Sequence, residues 1–456
     1  MKRLILLCLL FAGLSAYSQQ LKIDSFKMGA DEDNSSKNVR RDLFDTPCAV
    51  IKVIIDDDIV RVDGNVIGDI VTKGREKWIY VTEGTKRIDI VPSKHLPISI
   101  MFPDYGFKNI KGLQTFELIL KEETPAEMDA ESLYQLGYNY ASGITGSKDL
   151  KKGLDYFEKA AAKGHIDAKF EIACHYLQGI GYEKNENKAV ELYKELANNG
   201  HAKSQFNLGA IFLSKNPQEA MAWFQRASDQ GLREAQFNLG TYYYYGNIVS
   251  IDYDKAFSLF QKSANQDYDL AQYNLGLCFQ NGQGVKKDLH KAIEWYRKAA
   301  NQGHVNANNN IGSCYEKLND PKEAVIWYMR AAELGSDAGQ YNYGNCFFYG
   351  RGVEKDQKKG IYWYTKSAEQ DNKSALFDLG YIYYSGNGVE KDYKKAIELY
   401  SKAASLGHMQ AYNNLGFCYE NGFGVPVDLK KAIEFYRISA NMGNSTAKEN
   451  LQRLGY

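Results

Sequence analysis

The sequence predicts a mainly α protein: an α-solenoid of about nine helix–turn–helix repeats, preceded by a small all-β domain. Three observations carry the prediction. A small residue returns at Ser132, Ala168, Ser204, Ala235, Ala271, Ala307, Gly339, Ala375, Ala411 and Ala447, at steps of 36 residues apart from one of 31 and one of 32. The hydrophobic period changes from two to that of a helix after Pro125. The chain also holds 34 tyrosines and 40 glycines but only 8 prolines, as a repeated segment would if it needed a ring and a glycine at fixed places.

Residues 1–18 read as an export signal. Lys2 and Arg3 form the charged start, and residues 4–14 form an apolar run, about eleven residues and too short to span a membrane. Ala16 and Ser18 satisfy the small-residue rule for cleavage, which places the mature start near Gln19. Cys8 lies inside the apolar run, too early for lipid attachment, so a soluble exported product is expected rather than a lipoprotein. No later stretch approaches the ~18 apolar residues of a transmembrane helix.

Residues 19–124 are assigned to the β domain with a polar leader. Residues 20–47 are polar and poor in pattern, and 31–37 read as a solvated linker. From 48 to 121 the period is two. Residues 49–55, 78–82, 87–91 and 115–120 are short apolar or β-branched runs, separated by Asp63-Gly64, Glu83-Gly84 and Pro92. Six or seven strands are expected. The aspartates at 56–58 read as a turn, since no further ligands follow at the spacing of a calcium loop.

Residues 130–456 are the repeats, closed by a half-repeat cap from Ala447 onward. Four residues after each small residue comes an apolar residue and then usually glycine, as in Leu275-Gly276 and Leu415-Gly416. Three residues beyond stands an aromatic: Tyr140, Tyr176, Phe212, Tyr243, Phe279, Tyr315, Phe347, Tyr383 or Tyr419. Steps of four put these residues on one stripe of a first helix. A second helix such as residues 292–300 has close copies starting at Ala220, Ala324, Ala396 and Ala432, and ends at a glycine suited to the left-handed closing position. Full repeats join the two helices through Gly-x-Gly-Val followed by Asp288, Asp356, Asp392 or Asp428, each placed as an N-cap. The short repeats use Asn216-Pro217 and Asp320-Pro321 instead, a cap followed by proline at the first helical position, with Glu219 and Glu323 three residues after the cap.

These residues resemble the Sel-1-like repeat, a relative of the tetratricopeptide repeat: Leu-Gly, an aromatic, Gly-x-Gly-Val, Asp, Lys-Ala, Tyr, Ala-Ala and Gly recur in register. The first two repeats depart, since residues 143–146 lack the valine and Ala173 replaces the glycine. The resemblance implies a right-handed superhelix of antiparallel helix pairs that binds a protein or peptide. It also offers an alternative, since some bacterial relatives are associated with cell-wall material or with penicillin-binding or β-lactamase-like envelope activity. Residues 49–53, 78–81 and 84–90 resemble the small N-terminal β domain of secreted gut-bacterial proteins.

Composition and motifs narrow the function. Lysine plus arginine equals aspartate plus glutamate, 56 each, which leaves no electrostatic footprint for nucleic acid or anionic lipid. Gly-x-Gly-Val lacks both the following Lys-Ser/Thr and the preceding strand of a phosphate loop. No Ser–His–Asp set, His-Glu-x-x-His or zinc-spaced cysteine pair is present, so no catalytic residue, metal or cofactor is expected. Cys278, Cys314, Cys346 and Cys418 each lie two residues after the repeat glycine. Equivalent atoms of stacked repeats stand about 10 Å apart, beyond the ~7 Å limit of a disulfide, so buried thiols are expected.

The remaining signal is aromatic. The resemblance makes the inner face of the first helix a binding surface. A column from Tyr134 through Phe170, Phe206, Phe237, Tyr273 and Tyr341 to Phe377 lies there. Further along the helix it reaches Tyr244, Tyr245, Phe348, Tyr349, Tyr381 and Tyr384. With Tyr243, Phe347 and Tyr383 read as the core rings, these six are the expected partner-binding residues. The amides of Asn207, Asn238, Asn274, Asn310, Asn342 and Asn414 form a parallel column, suited either to a bound peptide or to backbone groups of neighbouring helices.

Overall fold

The computed structural model describes residues 21–28, 48–55, 59–73, 75–82, 84–92, 98–105, 107–108, 110–111, 114–122, 125–143 and 148–456. The export signal, the linker at 31–37 and the aspartates at 56–58 lie outside them. The chain divides into two compact bodies, residues 1–211 and 212–456.

In the N-terminal body, eight strands occur among the described residues: seven between 49 and 122, where six or seven are expected, and one more in the leader. They are β1 (Leu21–Met28), β2 (Ala49–Ile54), β3 (Ile59–Gly64), β4 (Val71–Lys73), β5 (Glu76–Val81), β6 (Arg87–Pro92), β7 (Ile98–Met101) and β8 (Thr115–Glu122). They form a five-stranded sheet, β1-β8-β2-β5-β4, and a three-stranded sheet, β3-β6-β7. Alternate residues of β2, β5 and β8 (Ala49, Ile51, Val53, Ile79, Val81, Phe116, Leu118) share one core with Ile88, Ile90 and Ile100 of the smaller sheet. The residues between them, Val50, Trp78 and Tyr80, form a second cluster with Cys48. Period two in the sequence is this division of each strand between two faces.

The leader contributes β1, which pairs antiparallel with β8 and shifts register between Ile23 and Ser25. That irregularity explains why the strand escapes a pattern search. Its apolar residues fall at 21 and 23 and then at 26 and 28, one residue out of step, as a bulge requires.

Helices follow as α1 (Ala130–Ser142), α2 (Leu150–Ala162), α3 (Ile166–Gln178), α4 (Glu186–Asn198) and α5 (Ala202–Phe212). The C-terminal body holds α6 (Pro217–Asp229), α7 (Arg233–Tyr245), α8 (Tyr253–Ala264), α9 (Asp269–Asn281), α10 (Leu289–Asn301), α11 (Val305–Lys317), α12 (Pro321–Glu333), α13 (Asp337–Tyr349), α14 (Gln357–Glu369), α15 (Lys373–Ser385), α16 (Tyr393–Ser405), α17 (Met409–Asn421), α18 (Leu429–Asn441) and α19 (Ser445–Arg453). Odd-numbered helices are the first of each repeat and even-numbered ones the second. The small residues Ala271, Ala307, Ala375 and Ala411 have no exposed surface, so a larger side chain has no room at that step.

Both loop types start the second helix in the same way. Asp288 and Asp392 each accept from the backbone N–H three residues on, and so do Asn216 and Asp320, the latter two with proline at the start of the helix. The cap's own N–H is held as well. Asp288, Asp356, Asp392 and Asp428 donate to the carbonyls of Phe279, Phe347, Tyr383 and Tyr419, all at 2.9 Å. The aromatic three residues after the repeat glycine therefore anchors the connector.

The repeat glycine has a different partner. A Cβ at Gly276 would lie 2.6 Å from the Tyr296 ring, one at Gly312 2.6 Å from Tyr328, and one at Gly416 2.7 Å from Tyr436. Each of those tyrosines belongs to the second helix and is at most 1% exposed. Glycine and tyrosine thus recur together for one reason: in these hairpins a ring of the second helix packs against a residue without a side chain.

Candidate partner-binding face

The first helices carry the candidate site, and their geometry divides the six expected residues. Tyr245, Tyr349 and Tyr381 stand out from the surface, 51%, 54% and 53% exposed. The other three pack inward. Phe348 is buried, its ring 5.7 Å from that of Tyr364. Tyr244 is half-buried 6.0 Å from Phe260, and its hydroxyl donates to Gln283. Tyr384 is half-buried, 5.4 Å from Tyr393 and 5.7 Å from Phe423.

The correction concerns which ring of each pair fills the core. Tyr243, Phe347 and Tyr383 are half-buried at the connector end, where Lys255, Lys359 and Lys395 lie over them at 5.1, 5.4 and 4.5 Å. The residue after each, one helical position round, packs its ring on a ring of the second helix. Sequence spacing gives the stripe, but 100° per residue is too coarse to choose between neighbours when both are aromatic.

At Asn310 and Asn342 the amide column differs from expectation. Asn310 donates to the Tyr273 hydroxyl at 3.0 Å, and Asn342 donates to Asn309 Oδ1 at 2.8 Å. The Tyr341 hydroxyl donates to Asp378 Oδ2 at 2.9 Å, and Asn450 donates to Asn413 at 3.1 Å. These rungs join side chains of successive first helices rather than backbone groups. Asp378 takes the place of an asparagine in this column, and burial pushes its carboxyl above the usual carboxylate range. In the N-terminal body Glu171 stands at the matching step, and burial raises it to about 7.

A third regularity was missed. The buried tyrosines of the second helices need a partner for their hydroxyls. Tyr296 donates to Gln280, Tyr328 to Glu316 and Tyr436 to Glu420, at 2.7 to 2.8 Å. All three acceptors lie four residues after the repeat glycine, the step at which Phe348 and Tyr384 stand. Tyr364 finds Asn345 instead, one residue after the glycine, at 2.8 Å. For Tyr400 both steps hold tyrosine, Tyr384 and Tyr381. Its hydroxyl is buried without a hydrogen bond. Comparing the two helices of each repeat side by side would have exposed this mismatch in the sequence.

Beside that tyrosine, α15, α17 and α19 enclose a groove of about 570 Å³ with Phe377, Asp378, Tyr381, Gln410, Asn413 and Asn414 on its walls. The histidines after the closing glycines serve packing. His304 stacks on Tyr273 at 4.3 Å and His408 on Phe377 at 4.4 Å, and burial lowers the basicity of both. Burial pushes the Cys278 and Cys346 thiols up to about 12, and those of Cys314 and Cys418 to about 11. These four are free thiols kept protonated. Among the described residues no group of three or more His, Cys, Asp or Glu side chains could hold a metal ion, and no helix is long and apolar enough to cross a membrane.

The Sel1 repeat pattern matches nine segments: 130–165, 166–201, 202–232, 233–268, 269–304, 305–336, 337–372, 373–408 and 410–444. The chain belongs to the Sel1 repeat family. Sel1 repeat proteins are in general protein-interaction scaffolds. Among solved structures, this Sel1 chain is similar to c5321, a protective antigen of uropathogenic Escherichia coli displaying an SLR fold. Identity is 28%, the match covers 72% of this chain and 79% of that one, and the TM-score is 0.52. It is also similar to a Sel1 repeat protein from Oxalobacter formigenes, at 29% identity over 52% of this chain and 96% of that one, with a TM-score of 0.46. No curated protein matches the chain.

Proposed function

We propose that this Sel1 repeat protein is an exported, non-catalytic scaffold that captures a protein or peptide partner on the open face of its first helices. The observation that carries the reading is the exposure of Tyr245, Tyr349 and Tyr381. Each is more than half exposed on a helix held by buried neighbours, so its ring is presented without needing to be ordered on binding. A ring presented in this way suits a hot-spot anchor, on the order of 2 kcal/mol. The amide rungs beside them offer further polar contacts to a chain lying across the repeats. Two features support a non-catalytic role. The thiols are buried and protonated, and the histidines His304 and His408 are stacked and weakly basic. Export rests on Lys2, Arg3 and the apolar run at 4–14.

The test is capture of partners from the native envelope by the full chain and by a Tyr245→Ala, Tyr349→Ala, Tyr381→Ala variant. The variant should keep the helical spectrum and lose the captured partner. Equal capture by both proteins rules out this face. Mass spectrometry of the chain from its native host should show an N-terminus near Gln19, and an intact Met1 rules out export.

A further inference from the structure

We propose that the groove between α15, α17 and α19 is a binding site for a neutral saccharide. Tyr381 would form its stacking platform, and Asp378, Gln410, Asn413 and Asn414 its hydrogen-bonding wall. The volume, about 570 Å³, lies in the range of small-molecule sites, ~300–1,000 Å³. The lining decides the class of ligand. Its polar residues are amides, hydroxyls and one carboxylate, and no lysine or arginine is among them. An anion finds no counter-charge there, and the apolar side chain of a peptide finds no closed pocket.

A sugar presents adjacent hydroxyls, each both donor and acceptor. A side-chain amide offers the same pair of functions at matching separation, and a carboxylate oxygen accepts from a hydroxyl. The apolar C–H face of a pyranose packs on an exposed ring such as Tyr381, 53% exposed. The wall is held in place before any ligand arrives. Tyr341 occupies Asp378 Oδ2 at 2.9 Å and leaves Oδ1 to a ligand. Asn413 accepts from Asn450 at 3.1 Å and donates to Asn414 at 3.4 Å.

An independent observation marks the site. At the step of Tyr381 the other repeats of this body carry Thr241, Leu277, Ser313, Asn345 and Phe417, and Asn345 is the residue that satisfies the buried Tyr364 hydroxyl. With tyrosines at both supporting steps, the Tyr400 hydroxyl is left buried and unbonded. The fold gives up a hydrogen bond here and nowhere else among the fully buried second-helix tyrosines of this body. Such local violations are expected where a side chain serves a ligand.

The inference shares Tyr381 with the protein-capture reading but names a different occupant, and the two fail separately. The full chain is titrated calorimetrically with maltotriose, cellotriose and the N-acetylglucosamine trimer, and in parallel with inorganic phosphate and trialanine. At least one trisaccharide should bind, and Tyr381→Ala and Gln410→Ala should each weaken it about tenfold or more. Tyr362→Ala, an exposed ring on α14 away from the groove, should leave binding unchanged. The proposal is overturned if no trisaccharide binds, if phosphate or trialanine binds in its place, or if Tyr381→Ala and Gln410→Ala bind as the parent does. A silent titration with intact partner capture removes this site alone.

Discussion

Tyr296 and Tyr400 occupy the same step of their helices and are equally buried, yet only Tyr296 has a hydrogen bond, to Gln280. A buried hydroxyl without a partner forfeits about 1–3 kcal/mol of solvation, whereas a satisfied one gains roughly 1 kcal/mol. Tyr296→Phe should therefore lower stability by about 1 kcal/mol, and Tyr400→Phe should leave it unchanged or raise it. Chemical denaturation of both variants decides, and an equal loss in the two contradicts the difference in bonding. Glu171 gives a pH prediction. Burial raises its folded pKa from 4.5 to about 7, so the native state holds this proton more tightly than the unfolded chain does. Its contribution to stability is complete below the unfolded value and is lost as pH rises from there through about 7. Glu171→Gln should match the parent in melting temperature in mild acid and exceed it near about pH 8. Parallel melting curves across that range would show that the carboxyl is not buried.

At the scale of the hairpin, glycine and tyrosine act as one part. The Gly276 position is 2.6 Å from the Tyr296 ring once a Cβ is added, closer than atoms approach in a packed core. Although alanine is the better helix former, Gly276→Ala should cost about 1–3 kcal/mol through overpacking. Thermal denaturation checks the sign, and a stabilised variant would mean that the ring can move aside. The connector is secured by two hydrogen bonds to one residue. The Asp288 side chain caps α10, and its N–H reaches the Phe279 carbonyl. The lysine three residues beyond the cap covers the aromatic, as Lys291 does at 5.6 Å over Phe279. One short motif thus supplies cap, clamp and cover.

At the scale of the whole molecule, each hairpin buries its apolar stripe against its neighbours, so the last one needs a substitute for the next repeat. In the C-terminal body α19 provides it: Ala447 is buried with Ala432, Tyr436 and Ala440, and Leu451 and Leu454 pack alongside. Arg453 reaches both carboxylate oxygens of Glu420, at 2.6 and 2.8 Å. Deleting residues 444–456 should expose amides of α17 and α18 to hydrogen exchange while α7 to α10 keep their protection, because repeat stability passes chiefly between neighbours. Uniform loss of protection throughout the body would instead show that it unfolds as a single cooperative block.

The sequence alone determined the repeat, its length, its two connectors, its caps and the face carrying the rings, because each depends on local spacing and backbone chemistry. It also placed the repeat cysteines in the core, since a residue at a fixed step of every hairpin meets the same surroundings. Only the tertiary structure decided which ring of each aromatic pair turns inward, and that Asn310 and Asn342 of the amide column bond to side chains of the preceding repeat. It also supplied β1, whose pattern slips where the backbone shifts register. These outcomes depend on atoms brought together from different helices, 37 residues apart for Tyr341 and Asp378, and on differences of one helical position. Periodicity resolves a face of a helix, whereas packing resolves a side chain.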